Sequence, residues 1–185
     1  WTDDLADRLV EADGPERGAE LLARYGEAFP EGYKEDVSAG TAVHDIHRLE
    51  ELRAVDEVDV RLYRATRDGR HELHVKVFRE GAAISLAVAL PMLQRMGADV
   101  VEENVYDVRR SDGTVAYVHD FTVSTILGQA EADSFTDELR TRFEEAFLAV
   151  WGGLADSDGF NALVVAAGLT WREAAVLRAY ARYLR

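Results

Sequence analysis

The sequence predicts an α+β protein in which a small antiparallel ββαββ sheet module lies between two helical segments. Before about residue 54 and after about residue 129, apolar residues recur every three or four positions. Between these points, short runs alternate between apolar and polar residues. The first spacing places apolar side chains on one face of a helix, and the second places them on one face of a strand. We therefore expect N-terminal helices over 1–54, the sheet module over 55–128 and a helical segment over 129–185.

The N-terminal region carries two helical patterns. Residues 2–28 have helical spacing, interrupted at Asp13-Gly14-Pro15, and the segment ends at Pro30 and Gly32. Glycine and proline are the strongest local breaks in such a pattern. A further helix is predicted over 38–54, where apolar residues recur every three positions.

The first hairpin is predicted at Asp68-Gly69, between the alternating runs 58–62 and 73–77. Asp-Gly suits a two-residue turn because both central residues need a positive φ. Such a turn places Leu62 opposite Val75, so that the apolar faces of the two strands coincide.

A helix and a second hairpin complete the module. Residues 83–96 predict a helix with Ser85 as its N-cap and Gly97 as its stop. Pro91 lies inside it, so we expect either a kink at Pro91 or a regular helix that starts only there. Strands follow over 100–108 and 115–123.

A two-residue turn at Asp112-Gly113 would place Val108 opposite Tyr117. Small sheets of this order with one covering helix include the ACT-like and ferredoxin-like regulatory modules.

The C-terminal region predicts three helices. A long amphipathic stripe runs from Phe135 to Leu154, and a short apolar helix covers 161–167. Thr170 and Glu173 have the spacing of a capping box, which opens a last helix over 171–185.

Composition and charge argue against several classes of protein. The 185 residues include 21 Lys+Arg and 35 Asp+Glu, a net charge of -14, which disfavours nucleic acid and anionic membranes as partners. The chain has no cysteine, which excludes disulfides and thiol chemistry, and we expect a cytoplasmic protein. No signal peptide or membrane span is visible.

Motifs for catalysis and cofactor binding are not found. The sequence has neither the dinucleotide-binding motif G-x-G-x-x-G nor a P-loop. It also lacks a candidate for an activated catalytic lysine, because its only lysines are Lys34 and Lys76 and neither lies in a glycine-rich turn. Lys76 lies between two inward-facing valines, so we expect a solvated lysine on an edge strand. We therefore predict no catalytic and no cofactor-binding residue in this chain.

Two histidine patterns are candidates for a functional site. His44, His47 and Glu51 lie at helical spacing and could face a metal, but Arg48 and Arg53 crowd them with positive charge, and we expect no metal site. His119 shares an apolar strand face, where a general base and a hydrogen-bonded core histidine are the alternatives. We favour the core histidine.

Residues 156–161 weakly resemble a calcium loop. The glycine comes two positions too early and Phe160 occupies a ligand position. The better explanation is that Asp158 caps the helix that follows.

The last helix is the strongest candidate for an assembly contact. Arg178, Arg182 and Arg185 share a stripe with Trp171. Arginines near a helix C-terminus are stabilised by the helix dipole, and a docking face for an acidic surface of the same chain or of a partner is the alternative. The sequence is compatible with both explanations.

Several longer motifs are specific enough to be compared with a known family. They are Ala89-Leu90-Pro91-Met92-Leu93, Tyr106-Asp107-Val108, His119-Asp120-Phe121, Phe143-Glu144-Glu145-Ala146-Phe147, Gly159-Phe160-Asn161-Ala162-Leu163-Val164, Ala167-Gly168-Leu169-Thr170-Trp171-Arg172-Glu173 and Leu177-Arg178-Ala179-Tyr180-Ala181-Arg182-Tyr183-Leu184. These motifs resemble the ACT-like regulatory region of the large bacterial NAD-specific glutamate dehydrogenases and the helical segment that precedes their catalytic domain. The resemblance covers the chain from about Phe29 onward and is most specific in its C-terminal half.

The resemblance implies a parent enzyme that oxidises L-glutamate with NAD to 2-oxoglutarate and ammonium, and a homo-oligomer with a long N-terminal arm. The chain begins at Trp1 and its helical pattern still runs at Arg185, so we expect a piece of a longer polypeptide. NAD would then belong to the parent, and this segment's partners would be the rest of the polypeptide and the other subunits.

Two functions remain for the segment itself. ACT-like modules of the family commonly bind small amino acids at strand–helix junctions, which here implies an effector junction at Gly81 and Ser85. The other function is a structural module that positions the catalytic domain. We favour the second, because no clamp for a carboxylate or an amine is evident near that junction.

Overall fold

The structure is a computed structural model that describes residues 1–67, 70–126 and 135–184, and it confirms the predicted α+β class. Within these ranges the four strands form one antiparallel sheet of order β1-β2-β4-β3. Helix α4 connects the two hairpins, as predicted. The elements are α1 (Thr2–Tyr25), α2 (Glu31–Asp36), α3 (Ala39–Glu51), β1 (Val58–Arg67), β2 (Arg70–Glu80), α4 (Leu86–Arg95), β3 (Ala98–Arg109), β4 (Val115–Ile126), α5 (Asp137–Trp151), α6 (Leu163–Ala166) and α7 (Trp171–Tyr183).

The chain divides into two compact units that both include parts of the strands. The first unit comprises Trp1–Asp59, Phe78–Ala83 and Val105–His119. The second comprises Val60–Val77, Ile84–Asn104 and Asp120–Arg185. No helix in the described ranges is both long enough and apolar enough to cross a membrane.

Helix α1 consists of two helical pieces joined at Gly14. Gly14 has φ 81° and ψ 169°, which breaks the helix where the sequence predicted a break. Pro15 then follows, a residue that suits the first turn of a helix because it lacks an N–H. Gly18, on the second piece, packs against the backbone of Leu9 and Val10 on the first.

Helices α1 to α3 and the adjoining ends of three strands enclose the hydrophobic core of the first unit. Tyr33 belongs to α2, a short helix that the sequence analysis did not predict, and its hydroxyl donates to Asp45 Oδ2 at 2.7 Å. The strand residues that join this core are Phe78, Tyr106, Val108, Ala116 and Val118.

The first hairpin agrees with its predicted register where the structure describes it. The predicted pairing of Leu62 with Val75 also sets Tyr63 opposite His74, and the two ring centroids lie 5.1 Å apart. The turn residues Asp68 and Gly69 lie outside the described residues.

The register predicted for the second hairpin is wrong by one residue. Arg110 N–H donates to Thr114 O at 3.0 Å and Gly113 N–H donates to Arg110 O at 3.0 Å. Gly113 has φ 84°, so the connection is a type I turn followed by a glycine bulge rather than a two-residue turn. Val108 therefore lies opposite Ala116 instead of Tyr117.

In the second unit, α4 spans Leu86–Arg95 with Pro91 inside it. Ser85 occupies the N-cap position as predicted, but its side chain makes no capping hydrogen bond. Helix α5 also contacts β1, because Leu62 N–H donates to Glu144 Oε1 at 2.9 Å.

Two local capping predictions are confirmed. Asp158 Oδ1 accepts from Phe160 N–H at 3.0 Å, at the start of a short 3-10 turn over Gly159–Ala162. Thr170 and Glu173 form the predicted capping box at the start of α7.

Candidate functional site

Gly81, one residue of the predicted effector junction, follows directly after β2. Its φ is 84°, a conformation that favours glycine, and its N–H donates to Val115 O at 3.0 Å. A Cβ at this position would lie 3.0 Å from Val55 Cγ1. The space left by the missing side chain is therefore bordered by Val55.

Ser85, the other residue of the predicted junction, is exposed at the start of α4. Its carbonyl accepts from Val88 and Ala89 N–H, each at 3.0 Å, and so begins the helix. An effector junction at these residues stays a prediction.

Beside Gly81, Arg110 forms a buried ionic contact with the end of β2. Its Nη1 donates to Glu80 Oε1 at 2.8 Å and its Nε donates to the Tyr25 hydroxyl at 2.9 Å. Burial lowers the pKa of Arg110, but the contacts with Glu80 and Tyr25 raise it by more than burial lowers it. The pKa of Arg110 therefore lies above its ordinary value. Arg110 is therefore a cation at neutral pH.

Glu50, at the end of α3, connects this contact to α1. Its carboxylate accepts from Arg17 Nη2 at 2.6 Å, from Arg24 Nη1 at 2.8 Å and from the Tyr25 hydroxyl at 2.8 Å. Burial, the largest cause, raises the pKa of Tyr25, so its phenol stays protonated and can donate.

No clamp near Gly81 is evident in the sequence, but the structure brings arginines and glutamates there from α1, α3, β2 and the β3–β4 turn. No sequence spacing could have indicated this cluster, because its members come from segments that are distant along the chain.

The predicted basic stripe on α7 is divided between the interior and the surface. Arg178 is only 4% exposed, and its Nε and Nη2 donate to the two carboxylate oxygens of Asp158 at 2.7 and 2.9 Å. Nη2 also donates to Asn161 Oδ1 at 2.7 Å. The hydrogen bond from Arg178 is the largest cause that lowers the pKa of Asp158 below its ordinary value.

The other members of the basic stripe do not share the buried contacts of Arg178. Arg182 has a side chain that is 67% exposed and pairs with Asp156 at 2.9 Å. Trp171 lies beneath the guanidinium of Arg172, 4.3 Å from the ring centroid. Arg185 lies outside the described residues. Arg178 therefore anchors α7 internally, and it is not available as a surface contact.

An exposed apolar face on α7 is the more prominent surface feature. Five large residues at helical spacing are more than two-fifths exposed, including Tyr183 at 87% and Leu184 at 81%. Single exposed apolar residues are common, but a contiguous set on one helix is typical of an interaction site. The five residues, called the α7 face below, are Val176, Leu177, Tyr180, Tyr183 and Leu184.

The prediction that Lys76 is a solvated lysine on an edge strand is wrong. Strand β2 lies between β1 and β4, and Lys76 is 0% exposed, with its Nζ 5.2 Å from the Tyr63 ring centroid. Nearby, both oxygens of Asp120 are engaged: Oδ2 accepts from the Tyr63 hydroxyl at 2.8 Å and Oδ1 lies 3.0 Å from His74 Nδ1. These groups form a partly buried polar cluster that was not predicted from the sequence.

His119 and His47 take structural positions. His119 is 2% exposed, in agreement with a buried histidine on β4. His47 Nε2 lies 2.9 Å from Asp13 Oδ2, between α3 and α1. In the described part of the chain, no group of three or more histidine and acidic residues could hold a metal ion.

Together, the antiparallel ββαββ sheet and its flanking helices define an α+β domain of the ACT class. A family model of the glutamate dehydrogenase ACT3 domain matches residues 57–135. Models of helical motif 2 and helical motif 3 of glutamate dehydrogenase match residues 8–52 and 155–185. The chain therefore belongs to the glutamate dehydrogenase family, as its sequence motifs indicated. The match at 8–52 also extends the relationship to the first helices, where the sequence resemblance had stopped.

Three NAD-specific glutamate dehydrogenases are similar to this chain. The protein of Halomonas elongata is 40% identical over 185 residues, and that of Pseudomonas aeruginosa is 34% identical over the same length. The protein of Mycobacterium tuberculosis is 38% identical and covers 97% of the chain. The chain spans about 11% of the length of each of these relatives.

Proposed function

We propose that this chain is a non-catalytic regulatory and assembly segment of an NAD-dependent glutamate dehydrogenase. The parent enzyme would convert L-glutamate, NAD and water to 2-oxoglutarate, ammonium and NADH in the cytoplasm. The names of the three relatives support this reaction for the parent. The segment lacks the glycine-rich fingerprint that binds a dinucleotide, so NAD would be held elsewhere in the polypeptide.

The observation that carries the assembly role is the α7 face. Arg178 fixes α7 to the loop around Asp158 through buried, charge-assisted hydrogen bonds, so the helix is held in a defined position. On the same helix, Leu177 and Tyr180 are exposed to 44% and 64%. A rigid helix that exposes apolar side chains is suited to receive another part of the enzyme or a neighbouring subunit.

An effector-sensing role at Gly81 and Ser85 is the alternative. Its test is a titration of the 185-residue chain with a panel of amino acids, monitored by the thermal unfolding midpoint. A saturable rise for one amino acid, lost in Gly81→Val, would favour this role, since a bound ligand stabilises the folded state by mass action.

The assembly role is tested with Leu177→Asp in the full-length enzyme. A charge in the centre of an apolar contact is costly to bury, so we expect the variant to sediment as a smaller species and to lose turnover. The thermal midpoint of the same variant in the 185-residue chain should stay unchanged, because Leu177 is exposed there.

Val10→Asp is the matched control, because Val10 on α1 is also 44% exposed. We expect it to leave sedimentation and turnover unchanged. If Leu177→Asp behaves like this control in both measurements, the α7 face has no role in assembly.

A further inference from the structure

A groove of about 600 Å³ in the second unit lies between α4, the end of α5 and the loop that follows α5. Small-molecule sites are typically clefts of about 300–1,000 Å³ with apolar walls and a few polar groups. Apolar residues form most of this lining, and its two polar residues, Arg95 and Ser157, come from α4 and the loop. The groove therefore has the size and the composition of a ligand site.

The apolar lining runs from buried to exposed side chains. Met92 and Val150 are only 4% and 9% exposed, whereas Val88, one helical turn before Met92 on α4, is 54% exposed. Apolar surface that is in contact with water gains free energy when a ligand covers it. We therefore expect the groove to favour a ligand with an apolar body.

Trp151 is a fixed part of the groove wall. Its ring lies parallel to the ring of Phe147, with 6.1 Å between the centroids and 7° between the planes. Phe147 is 0% exposed, so this contact holds the indole against the core. Aromatic rings and methionine thioethers both make favourable contacts with an aromatic group. With Trp151 and Met92 in its lining, the groove is suited to an aromatic ring.

Arg95 and Ser157 form the polar end of the groove. Arg95 Nη1 donates to Ser157 O at 3.2 Å and to Ser157 Oγ at 3.3 Å, which positions the guanidinium beside the apolar wall. Arg95 makes no ion pair with any carboxylate in the described ranges, and no acidic residue is part of the lining. Its Nε and Nη2 and the Ser157 hydroxyl can therefore donate to a ligand oxygen.

We propose that this groove binds a small aromatic carboxylate, with its ring against Trp151 and Met92 and its carboxylate at Arg95 and Ser157. Arg95 is exposed, and an exposed ion pair contributes little by itself. The apolar walls provide most of the affinity, and the polar end determines the orientation of the ligand. The site uses neither the α7 face nor Gly81 and Ser85, so it is independent of the proposed function.

The test is an NMR titration of the 185-residue chain with phenylacetate. The readout is the indole Nε1–H resonance of Trp151, and the indole resonance of Trp171, outside the groove, is the internal control. We expect a saturable shift of the Trp151 resonance alone. Acetate, which lacks the ring, should not shift it at the same concentrations, and phenylacetamide, which lacks the charge, should bind about threefold more weakly.

Ala87→Phe fills the groove from its rim and should weaken the binding of phenylacetate at least tenfold. The variant should fold normally because Ala87 is exposed. Ala179→Phe, the same change at an exposed alanine on α7, is the matched control and should bind like the unchanged protein.

Arg95→Gln tests the polar end separately. It should weaken the binding of phenylacetate about threefold and leave that of phenylacetamide unchanged, because only the first ligand carries a charge. The proposal is overturned if phenylacetate does not shift the Trp151 resonance saturably, if acetate shifts it equally, or if Ala87→Phe binds as tightly as Ala179→Phe. Equal affinities for phenylacetate and phenylacetamide would overturn the assignment of a carboxylate ligand.

Discussion

At the scale of single residues, Arg178 contributes most clearly to holding the C-terminal helix. A buried guanidinium is stable only where acceptors replace the water that it loses. Asp158, Asn161 and the carbonyl of Asp156 provide those acceptors within one loop. The loop and α7 are therefore expected to be ordered together.

We expect Arg178→Met to lower the free energy of unfolding by about 3 kcal/mol, because it leaves Asp158 and Asn161 without their partner. Urea denaturation of the 185-residue chain measures this change. Arg182→Met, four residues along the same helix, removes an exposed pair and should change stability by less than about 0.5 kcal/mol. Equal effects of the two variants would show that the Arg178 contacts are not formed in solution.

The same pair predicts a dependence of stability on pH. The pKa of Asp158 is lowered in the folded state by the hydrogen bond from Arg178, so the contribution is fully present above the unfolded pKa, about 3.9. It is lost as the pH falls through the lower folded value.

To isolate this contribution, the unfolding free energies of the unchanged protein and of Asp158→Asn are compared from neutral to acid pH. We expect their difference to be constant near neutrality and to shrink below about pH 4. A difference that stays constant into the acid range would contradict the assignment.

At the scale of elements, the sharp turn within α1 depends on Gly18. A Cβ at this position would lie 2.8 Å from Val10 N and 2.9 Å from Leu9 O, which are backbone atoms that cannot move aside cheaply. The two halves of α1 therefore approach each other more closely than any other residue type would allow.

Gly18→Ala should reduce the free energy of unfolding by about 2 kcal/mol, although alanine has the higher helix propensity. Gly32→Ala on α2 is the matched control, because nothing lies within 4 Å of its Cβ position, and it should stabilise the protein by about 0.5 kcal/mol. Thermal and urea unfolding measure both. If Gly18→Ala also stabilises, the close packing inside α1 does not exist.

Structural features that depend on a few neighbouring residues were predicted correctly from the sequence. The Thr170–Glu173 capping box and the break at Gly14 depend only on local backbone chemistry, and both were confirmed. The predicted register of the second hairpin was wrong because Asp-Gly suits more than one turn type, and the glycine bulge shifts the strand pairing by one residue.

At the scale of the whole molecule, strand order and burial could not be predicted from spacing. Lys76 was expected at an edge, but the order β1-β2-β4-β3 makes β2 an interior strand. In the same way, the sequence was compatible both with an exposed Arg178 and with an Arg178 docked on an acidic surface, and its burial depends on a loop that returns to α7 from residues 156–161. Contacts between distant segments decide both outcomes.

The position of β3 at the edge of the sheet has a consequence for how copies of the protein meet in solution. An edge strand offers unpaired backbone groups to which a strand of another molecule can add, and Val101 and Val105 are exposed on β3. The strand Ala98–Arg109 also carries four acidic residues and a single arginine. Two such edges repel each other before their backbones can pair, so the acidity of β3 protects the protein against sheet-to-sheet aggregation.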